Sequence, residues 1–259
     1  MGKAKSDAPS LERGLDLLDA LAKSGARGAR PLELERRLKI PRSSLYRLLN
    51  ILATKGFAFQ DDESGRFFLS SECLALGYAA RLARPVAARV QSVLRDVVRE
   101  TRHMAEFAIP AGAWQLMMYE TWETASTPLR ILSRPGLCFR LDHLCAHGSC
   151  FLAFDGQRRL SEYLNFLAAR DKRFADVCRE TPKRIQQFAT QWLEDGYAWE
   201  KRNNRGNARI AVPVFHANRT PPRVAGTLGI VCGHDELRQP EVPRLARVLQ
   251  HHALRLVGT

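Results

Sequence analysis

The stretch that decides the fold of this chain is PLELERRLKIPRSSLYRLLNILATKGFAFQDDESGRFFL, residues 31–69. Its pattern predicts a short helix over 31–38, a tight turn ending at Pro41, a second helix from Arg42 to Lys55 and an aromatic hairpin after Gly56. Two helices joined by a turn and followed by a two-stranded wing make a winged helix-turn-helix. Such a module places its second helix in the major groove of DNA.

The second helix of this stretch has one apolar and one polar face. Leucines recur at i, i+3, i+4 and i+7 and predict a buried stripe of Leu45, Leu48, Leu49 and Leu52. Groups that donate to base edges or phosphates lie on the opposite face and its flanks: Arg42, Ser43, Ser44, Tyr46, Arg47 and Asn50. A merely solvated polar face is the alternative, but the neighbouring helix, turn and wing favour DNA contact.

The wing and the local charge favour the same function. Nine Lys/Arg stand against two Glu between Lys23 and Lys55, as expected of a surface that meets a polyanion. Arg66 lies at the base of the wing, where it would reach the DNA backbone or minor groove. An ordinary solvated strand residue is the alternative role for Arg66. The predicted partner is double-stranded DNA.

Length and composition predict two domains in a cytoplasmic protein. The chain has 259 residues, 45% of them hydrophobic, and a net charge of +13. Residues 1–80 carry a net charge of only +3, so most of the excess lies outside the predicted DNA-binding module. No run approaches the roughly 20 apolar residues that span a bilayer, so no membrane partner is expected. The six cysteines include no Cys-x-x-Cys pair and are expected to be free thiols.

Helical and strand-like segments alternate after the wing and predict an α+β second domain. The strands expected first in it are 104–109, 115–121 and Leu129–Ser133. The resulting domain boundaries are 1–70 for the DNA-binding domain, 71–84 for a linker helix and 85–259 for the second domain. Leu74, Tyr78 and Leu82 recur along the linker helix, and we expect the DNA-binding halves of a homodimer or tetramer to meet there.

The chain resembles the IclR family of bacterial transcription regulators over nearly its whole length. The segments that carry the resemblance are Ser10–Asp19, Pro41–Leu49, Gly65–Ser70, Gly136, Ala146–Ala153, Glu194–Tyr197, Ile210–Val214 and Val224–Val231. Within the family it looks most like the branch that controls hydroxyphenylpropionate breakdown. The resemblance implies a GAF-like effector-binding domain with a ligand cavity on one face of its sheet, and no cofactor.

By position, the resemblance also implies an effector site. The matching residues are Ala146, His147, Trp199, Glu200, Arg209, Gly229 and Val231. Family members that bind small oxo-acids often have serines where this chain has Gly229 and Val231, and a cysteine in place of Arg209. A glycine leaves room and a valine is apolar, so we expect a larger ligand, an aromatic carboxylic acid, paired with Arg209 or Arg140. Core packing for Trp199 and solvent exposure for Arg209 are the alternatives.

One segment suggests a different kind of sensor. Four zinc ligands fall within eight residues, namely His143, Cys145, His147 and Cys150. A single tetrahedral site would require the following helix to begin only after His147. The rival hypothesis is therefore a DNA-binding regulator that senses zinc or redox state, although packing roles are favoured for these residues and no bound metal is expected. The chain has no Ser-His-Asp motif and no phosphate-binding glycine loop, so an enzyme is not expected.

Overall fold

The computed structural model describes residues 8–83, 86–111, 114–125, 133–141, 145–168, 182–201 and 206–257. The chain divides into two compact units, Met1–Ala83 and Arg84–Thr259. The helix expected as a linker starts on the first unit, where Cys73 Sγ donates a hydrogen bond of 3.4 Å to the Phe57 carbonyl.

The first unit is built from three helices, a hairpin and a fourth helix. They are α1 (Pro9–Ser24), α2 (Pro31–Leu38), α3 (Arg42–Thr54), β1 (Ala58–Gln60), β2 (Phe67–Leu69) and α4 (Ser71–Leu82). The three helices α1, α2 and α3 pack around one buried apolar core, to which they contribute Leu17, Leu34 and Leu49 respectively. Lys39 makes the turn between α2 and α3 with a left-handed φ of 53°. This is the winged helix-turn-helix that the sequence predicts.

The wing is fastened to the connection between α1 and α2. β1 and β2 are antiparallel, with Phe59 opposite Phe68. Beyond the hairpin, Ala29 and Phe67 exchange two backbone hydrogen bonds of 3.0 and 2.9 Å. Gly28 precedes this bridge with φ of 59°, and a Cβ there would lie 2.6 Å from the Phe68 ring. Only glycine therefore lets the wing approach so closely.

Within the described residues, the second unit is a six-stranded antiparallel sheet with helices on both faces. Its elements are α5 (Val86–Thr101), β3 (Met104–Pro110), β4 (Gln115–Trp122), β5 (Cys138–Arg140), α6 (Ala146–Phe154), α7 (Gln157–Ala168), α8 (Pro182–Asp195), β6 (Ala198–Glu200), β7 (Asn207–Phe215), β8 (Val224–Gly233) and α9 (Val242–Ala253). The strand order is β5-β4-β3-β8-β7-β6.

Each face of the sheet has its own apolar core. Alternate residues such as Phe107, Ile210 and Ile230 pack under α5 and α9. Their neighbours on the opposite face, including Ala108 and Ala211, pack under α6, α7 and α8. The expected α+β architecture is confirmed.

The edge strand of the described sheet was not among the strands predicted from sequence. Residues 129–132 of the expected third strand lie outside the described residues, and Ser133 is not in a strand. Among the described residues the edge strand is Cys138–Arg140, which pairs with Gln115–Met117. A three-residue strand carries too little alternation to be recognised from sequence. Across the residues that the structure describes, none of the helices is long and apolar enough to cross a membrane.

Candidate DNA-binding face and effector site

The two faces of α3 are separated as the leucine spacing predicts. Leu45 and Leu49 are fully buried, and Leu48 and Leu52 pack against the same core. The residues expected to contact DNA lie on the other side, where Arg42, Ser43, Tyr46, Arg47 and Asn50 are exposed and Ser44 is half-buried. The helix therefore presents an array of donors to solvent while its leucines hold it on the unit.

Arg42 and Tyr46 form a local pair at the start of α3. The Arg42 guanidinium lies over the Tyr46 ring, 5.8 Å from its centroid, within the range of a cation–π contact. The two side chains are one helical turn apart, so the contact follows from helix geometry. It restricts the rotamers of an exposed arginine and points both groups in the same direction.

Arg66 is held by the protein itself. Its Nη1 donates to the carbonyls of Gly28 at 3.2 Å and Arg27 at 3.3 Å, and its Nη2 lies 3.4 Å from Glu33 Oε1. Glu33 in turn accepts the backbone N–H of Arg30 at the start of α2. That hydrogen bond first, and the Arg66 charge after it, hold the pKa of Glu33 below its ordinary value although desolvation opposes them. The structure thus gives Arg66 a bracing role at the wing base, which the sequence expectation did not include.

A buried polar network lies between the sheet and the first turn of α6. Glu106 of β3 accepts two hydrogen bonds at one oxygen, Oε2, from His147 Nε2 at 3.0 Å and from Arg209 Nε at 3.1 Å. His147 Nδ1 lies 2.9 Å from the Thr227 hydroxyl on β8. Glu106, His147 and Thr227 are almost completely inaccessible to solvent. Glu200 of β6 adds a looser ion pair, with its Oε2 3.8 Å from Arg209 Nη1.

The sheet register explains how residues far apart in sequence meet. Glu106 is opposite Gly229, Arg209 is opposite Val231, and Glu200 is opposite Arg209. These pairs run across four neighbouring strands and share the face that α6 covers. Six of the seven predicted effector residues are associated with this face: Ala146, His147, Glu200, Arg209, Gly229 and Val231.

Trp199 is the exception among the predicted residues. It packs against the core under α5 and α9, together with Tyr197, on the face opposite Glu200. Successive residues of a strand point to opposite faces, so Trp199 and Glu200 cannot both line one site. The core-packing alternative describes Trp199 correctly, and its inclusion among the effector residues is corrected.

Gly229 does not leave the room that was expected of it. A Cβ at this position would lie 2.8 Å from His147 Cε1 and 2.6 Å from the carbonyl oxygen of Ile210. The imidazole of His147 therefore fills the space above the glycine. The absence of a side chain at Gly229 serves the close packing of α6 on β8 rather than an open space in this arrangement.

The buried network contains two carboxyl groups, Glu106 and Glu200, and one guanidinium, Arg209. Burial alone would raise the pKa of Glu106, but the Arg209 charge and the His147 hydrogen bond prevail and lower it to about 2. A nearby hydroxyl, Ser133 Oγ, also lowers this pKa without meeting hydrogen-bond geometry. Glu106 is therefore an ionised acceptor at neutral pH.

The pKa values of Glu200 and Arg209 are also shifted by burial and by the neighbouring charges. Burial raises the pKa of Glu200 to about 7, with Arg209 opposing the rise and the Glu106 charge adding to it. Burial would lower the pKa of Arg209, but the Glu106 charge raises it above its ordinary value. Arg209 is thus already paired, contrary to the expectation of an arginine available for a ligand carboxylate. The Arg140 side chain lies outside the described residues.

Glu106 and Thr227 were missed by the sequence analysis. Glu106 is the only charged residue in the otherwise apolar strand Met104–Pro110. A single carboxylate at an inward position of such a strand requires a buried partner, which is a signal that the sequence does contain. The identity of that partner depends on strand order, which the sequence pattern does not provide.

The metal ligands of the rival hypothesis do not come together among the described residues. The helix α6 begins at Ala146, so His147 lies inside its first turn, and both of its ring nitrogens have partners. Cys145 caps the helix by accepting the Gly148 N–H at 3.5 Å. Burial raises the pKa of Cys145 to about 12 and that of Cys150 well above its ordinary value, so both are protonated thiols. His143 lies outside the described residues, and no group of three metal-binding side chains occurs within them.

A winged helix-turn-helix on one unit and a helix-covered sheet with a buried polar network on the other define a two-domain DNA-binding transcription regulator. Two family models match the chain: the IclR helix-turn-helix domain over residues 10–62 and the bacterial transcriptional regulator IclR C-terminal domain over residues 80–257. The chain belongs to the IclR family. It is a transcriptional regulator and not an enzyme.

Relatives agree with this assignment. The HTH-type transcriptional regulator BhcR of Paracoccus denitrificans is 28% identical over 207 residues, covering 80% of this chain and 72% of the relative. An IclR-type regulator from Alicyclobacillus acidocaldarius has the same fold, with a TM-score of 0.78, 22% identity and coverage of 97% and 98% of the two chains. An IclR homologue from Microbacterium hydrocarbonoxydans, solved with 4-hydroxybenzoate, has a TM-score of 0.69, 17% identity and coverage of 95% and 97%.

Proposed function

We propose that this regulator binds an operator through α3 and releases or reshapes it when an aromatic carboxylic acid binds the second unit. The observation that carries the proposal is the pairing of an exposed, donor-rich helix on one unit with a buried polar network on the other. The network is surrounded by apolar side chains, the composition typical of small-molecule sites. The solved complex of a homologue with 4-hydroxybenzoate gives a precedent for this fold.

For the DNA contact, we assign Arg42, Ser43, Ser44, Tyr46, Arg47 and Asn50 to bases or phosphates. Their support is exposure on the face opposite the buried leucines, with arginines at the helix start, which in this motif meets the bases. Arg66 acts on the same interface by fixing the wing, since its guanidinium is bonded to backbone carbonyls and Glu33. A single reader of this size contacts few base pairs, so two copies on a two-fold operator are needed for specificity.

The proposed dimer contact uses apolar side chains of the first unit. On α4, Leu74 is 76% exposed and Tyr78 is 64% exposed, and on α1 Leu11 and Leu15 are also exposed. Large apolar side chains that are exposed to this degree are typical of a protein–protein contact. The Leu82 side chain, expected at the same contact, lies outside the described residues. A monomeric mass at micromolar concentration in sedimentation equilibrium would contradict the dimer.

The effector acts by population shift. A ligand changes DNA affinity only if it binds the free and DNA-bound forms unequally, and by no more than that difference. A tenfold change in operator affinity corresponds to about 1.4 kcal/mol of coupling between the two sites. The candidate residues for the ligand are Ala146, His147, Glu200, Arg209 and Val231, with Gly229 beneath His147.

The test combines ligand binding with operator release. Thermal-shift measurements compare benzoate, 4-hydroxybenzoate and 3-phenylpropionate with pyruvate and glyoxylate, and DNA fragments from beside the gene supply the operator. We expect an aromatic acid to raise the melting temperature and change operator affinity at fixed salt. Stabilisation by pyruvate or glyoxylate alone would exclude the aromatic class. A change in melting temperature produced only by zinc or an oxidant would instead support the rival hypothesis of a zinc or redox sensor. That hypothesis is built on Cys145, Cys150, His143 and His147.

A further inference from the structure

One oxygen of Glu106 is left without a partner in the interior. Oε2 accepts hydrogen bonds from His147 Nε2 and Arg209 Nε, whereas Oε1 accepts none from any residue that the structure describes. The nearby Ser133 hydroxyl does not meet hydrogen-bond geometry. A carboxylate carries about four acceptor positions, and a buried oxygen that fills none of them is costly. Glu106 is completely inaccessible to solvent, so bulk water does not relieve this cost.

A second acceptor at the same place is also unsatisfied. Glu200 Oε2 forms no hydrogen bond within the described residues and reaches Arg209 only at 3.8 Å. Its side chain is 17% exposed, so it borders the solvent side of the network. The charged and titratable groups around Glu106 are Arg209 on β7, Glu200 on β6, and His147 and Cys145 at the start of α6. Two buried carboxylate oxygens, Glu106 Oε1 and Glu200 Oε2, therefore accept no hydrogen bond from the described residues.

The unpaired carboxylate oxygens determine which chemical group of a ligand can bind at this network. A ligand carboxylate would bring a negative charge next to the ionised Glu106 and the partly ionised Glu200, around a guanidinium that Glu106 already holds. Without a new cation, that arrangement is repulsive. A hydroxyl, amine or amide N–H instead supplies the donor that Oε1 lacks and leaves the Arg209–Glu106 pair intact.

We propose that the effector of this regulator carries a hydrogen-bond donor, which it presents to Glu106 Oε1, and that any carboxylate it bears points away from Glu106 and Glu200. The inference rests on the proposed function, because it assumes that the covered face of the sheet is where the effector binds. It deepens that function by naming the ligand as a hydroxylated or amino-substituted acid. It also differs from the orientation expected from sequence, in which Arg209 or Arg140 pairs with the ligand carboxylate.

Matched ligands test the proposal on the unaltered full-length protein. The probes are 4-hydroxybenzoate and 4-aminobenzoate, which carry a donor, and benzoate and 4-methoxybenzoate, which do not. The 3-(3-hydroxyphenyl)propionate and 3-phenylpropionate pair repeats the comparison with a longer chain. Isothermal titration calorimetry should give a Kd about tenfold or more lower for the donor-bearing members, because a site built around a hydrogen bond rejects analogues that lack it.

Variants connect the discrimination to Glu106. Glu106→Gln should reduce the preference for the donor-bearing member to less than about threefold. Glu123→Gln, an exposed carboxylate just beyond β4, should leave the preference unchanged. Circular dichroism and melting curves check that each variant is folded. If Glu106→Gln does not fold, the matched-ligand comparison on the unaltered chain decides the matter alone.

The outcomes separate this inference from the proposed function. Equal affinity for hydroxylated, methoxylated and unsubstituted acids would overturn the inference and keep the aromatic effector, and would mean that a buried water or the Ser133 hydroxyl satisfies Oε1. Binding of glycerol or butylamine but of no aromatic acid, abolished by Glu106→Gln, would support the inference and remove the aromatic class. Binding of pyruvate alone, or of none of these probes, would overturn both.

Discussion

The polar groups of the two units are arranged in opposite ways. On α3 the arginines, Ser43 and Asn50 face solvent, and Arg42 lies over the neighbouring Tyr46 ring. In the second unit Glu106, His147 and Thr227 are buried and bonded to one another. A surface that meets DNA keeps its donors available, because the phosphate oxygens and base edges of the duplex supply the acceptors. A small-molecule site keeps its polar groups preorganised, because a buried charge without a partner destabilises the fold.

Among the substitutions considered, removing Glu106 should have the largest effect on stability, because it disrupts the buried polar network of the second unit. Glu106→Ala leaves Arg209 buried without its strongest partner and removes the acceptor of His147. We expect a loss of about 3–5 kcal/mol in the free energy of unfolding, measured by urea denaturation at pH 7. Because the pKa of Glu106 is lowered to about 2, its contribution is fully present above its ordinary pKa of 4.5 and is lost as pH falls towards 2.

Glu123→Ala is the matched control for this change, since its side chain is exposed. It should alter the free energy of unfolding by less than about 0.5 kcal/mol. Equal losses for the two variants would mean that the network contributes nothing particular to stability.

Glu200 offers a pH-dependent test of the same network. A carboxyl whose pKa is raised from 4.5 to about 7 costs no stability below pH 4.5, an increasing amount between pH 4.5 and 7, and a constant amount above. Glu200→Gln removes this cost. The variant should therefore gain about 2–3 kcal/mol relative to the unaltered protein between pH 5 and pH 8, followed by chemical denaturation at several pH values. A difference that does not vary with pH would show that folding does not raise the pKa of Glu200.

Gly229 tests how tightly α6 is packed on the sheet. Gly229→Ala puts a methyl group 2.6 Å from the backbone oxygen of Ile210 and 2.8 Å from His147, and backbone cannot easily move. We expect a loss of about 1–3 kcal/mol in the free energy of unfolding. Gly14→Ala in α1 is the control, because nothing lies within 4 Å of its added Cβ. That change should be neutral or stabilising by about 0.5–1 kcal/mol. Equal effects at the two positions would contradict the close packing.

Substitutions of Arg47 and Arg66 test the DNA-binding face of the first unit. Arg47→Ala should weaken operator binding by about 1–3 kcal/mol and, if the contact is to phosphate, reduce the salt slope by about 1. Arg66→Ala should leave the salt slope unchanged, because its guanidinium is bonded within the protein, and should weaken binding through loss of wing position. Arg244→Ala, exposed on α9 of the other unit, is the control. Fluorescence anisotropy at several salt concentrations measures all three. An unchanged affinity for Arg47→Ala at matched salt would remove Arg47 from the interface.

The first unit could be predicted almost completely from sequence because its signals are local. Leucines at helical spacing, Pro41 at the start of α3 and glycines at turns lie within a few residues of the structure that they specify. The bracing contacts of Arg66 could not be predicted in this way. They join residues 33 to 39 positions apart, and only the folded wing brings them together.

The second unit was predicted at the level of elements but not of partners. The positions of the longer strands, and of the helix after them, follow from apolar periodicity and turn residues, whereas the three-residue edge strand Cys138–Arg140 does not. The Glu106–His147–Arg209 network depends on β3 and β7 each pairing with β8, which no local pattern specifies. The position of Trp199 follows from strand alternation and could have been assigned by counting from Glu200. The filling of the space above Gly229 by His147 depends on how α6 docks, which is a tertiary property.

The fastening of the wing has a consequence for engineering. Ala29 pairs with Phe67, Gly28 admits the Phe68 ring, and Arg66 reaches the carbonyls before α2 as well as Glu33. The exposed face of α3 takes no part in these contacts, so its residues can be exchanged as a cassette to change the operator that is read. The hairpin cannot be exchanged on its own. A chimera that imports a foreign wing must import residues 27–33 with it. Otherwise the foreign wing will lack the backbone pairing and the arginine contacts that hold it against the start of α2.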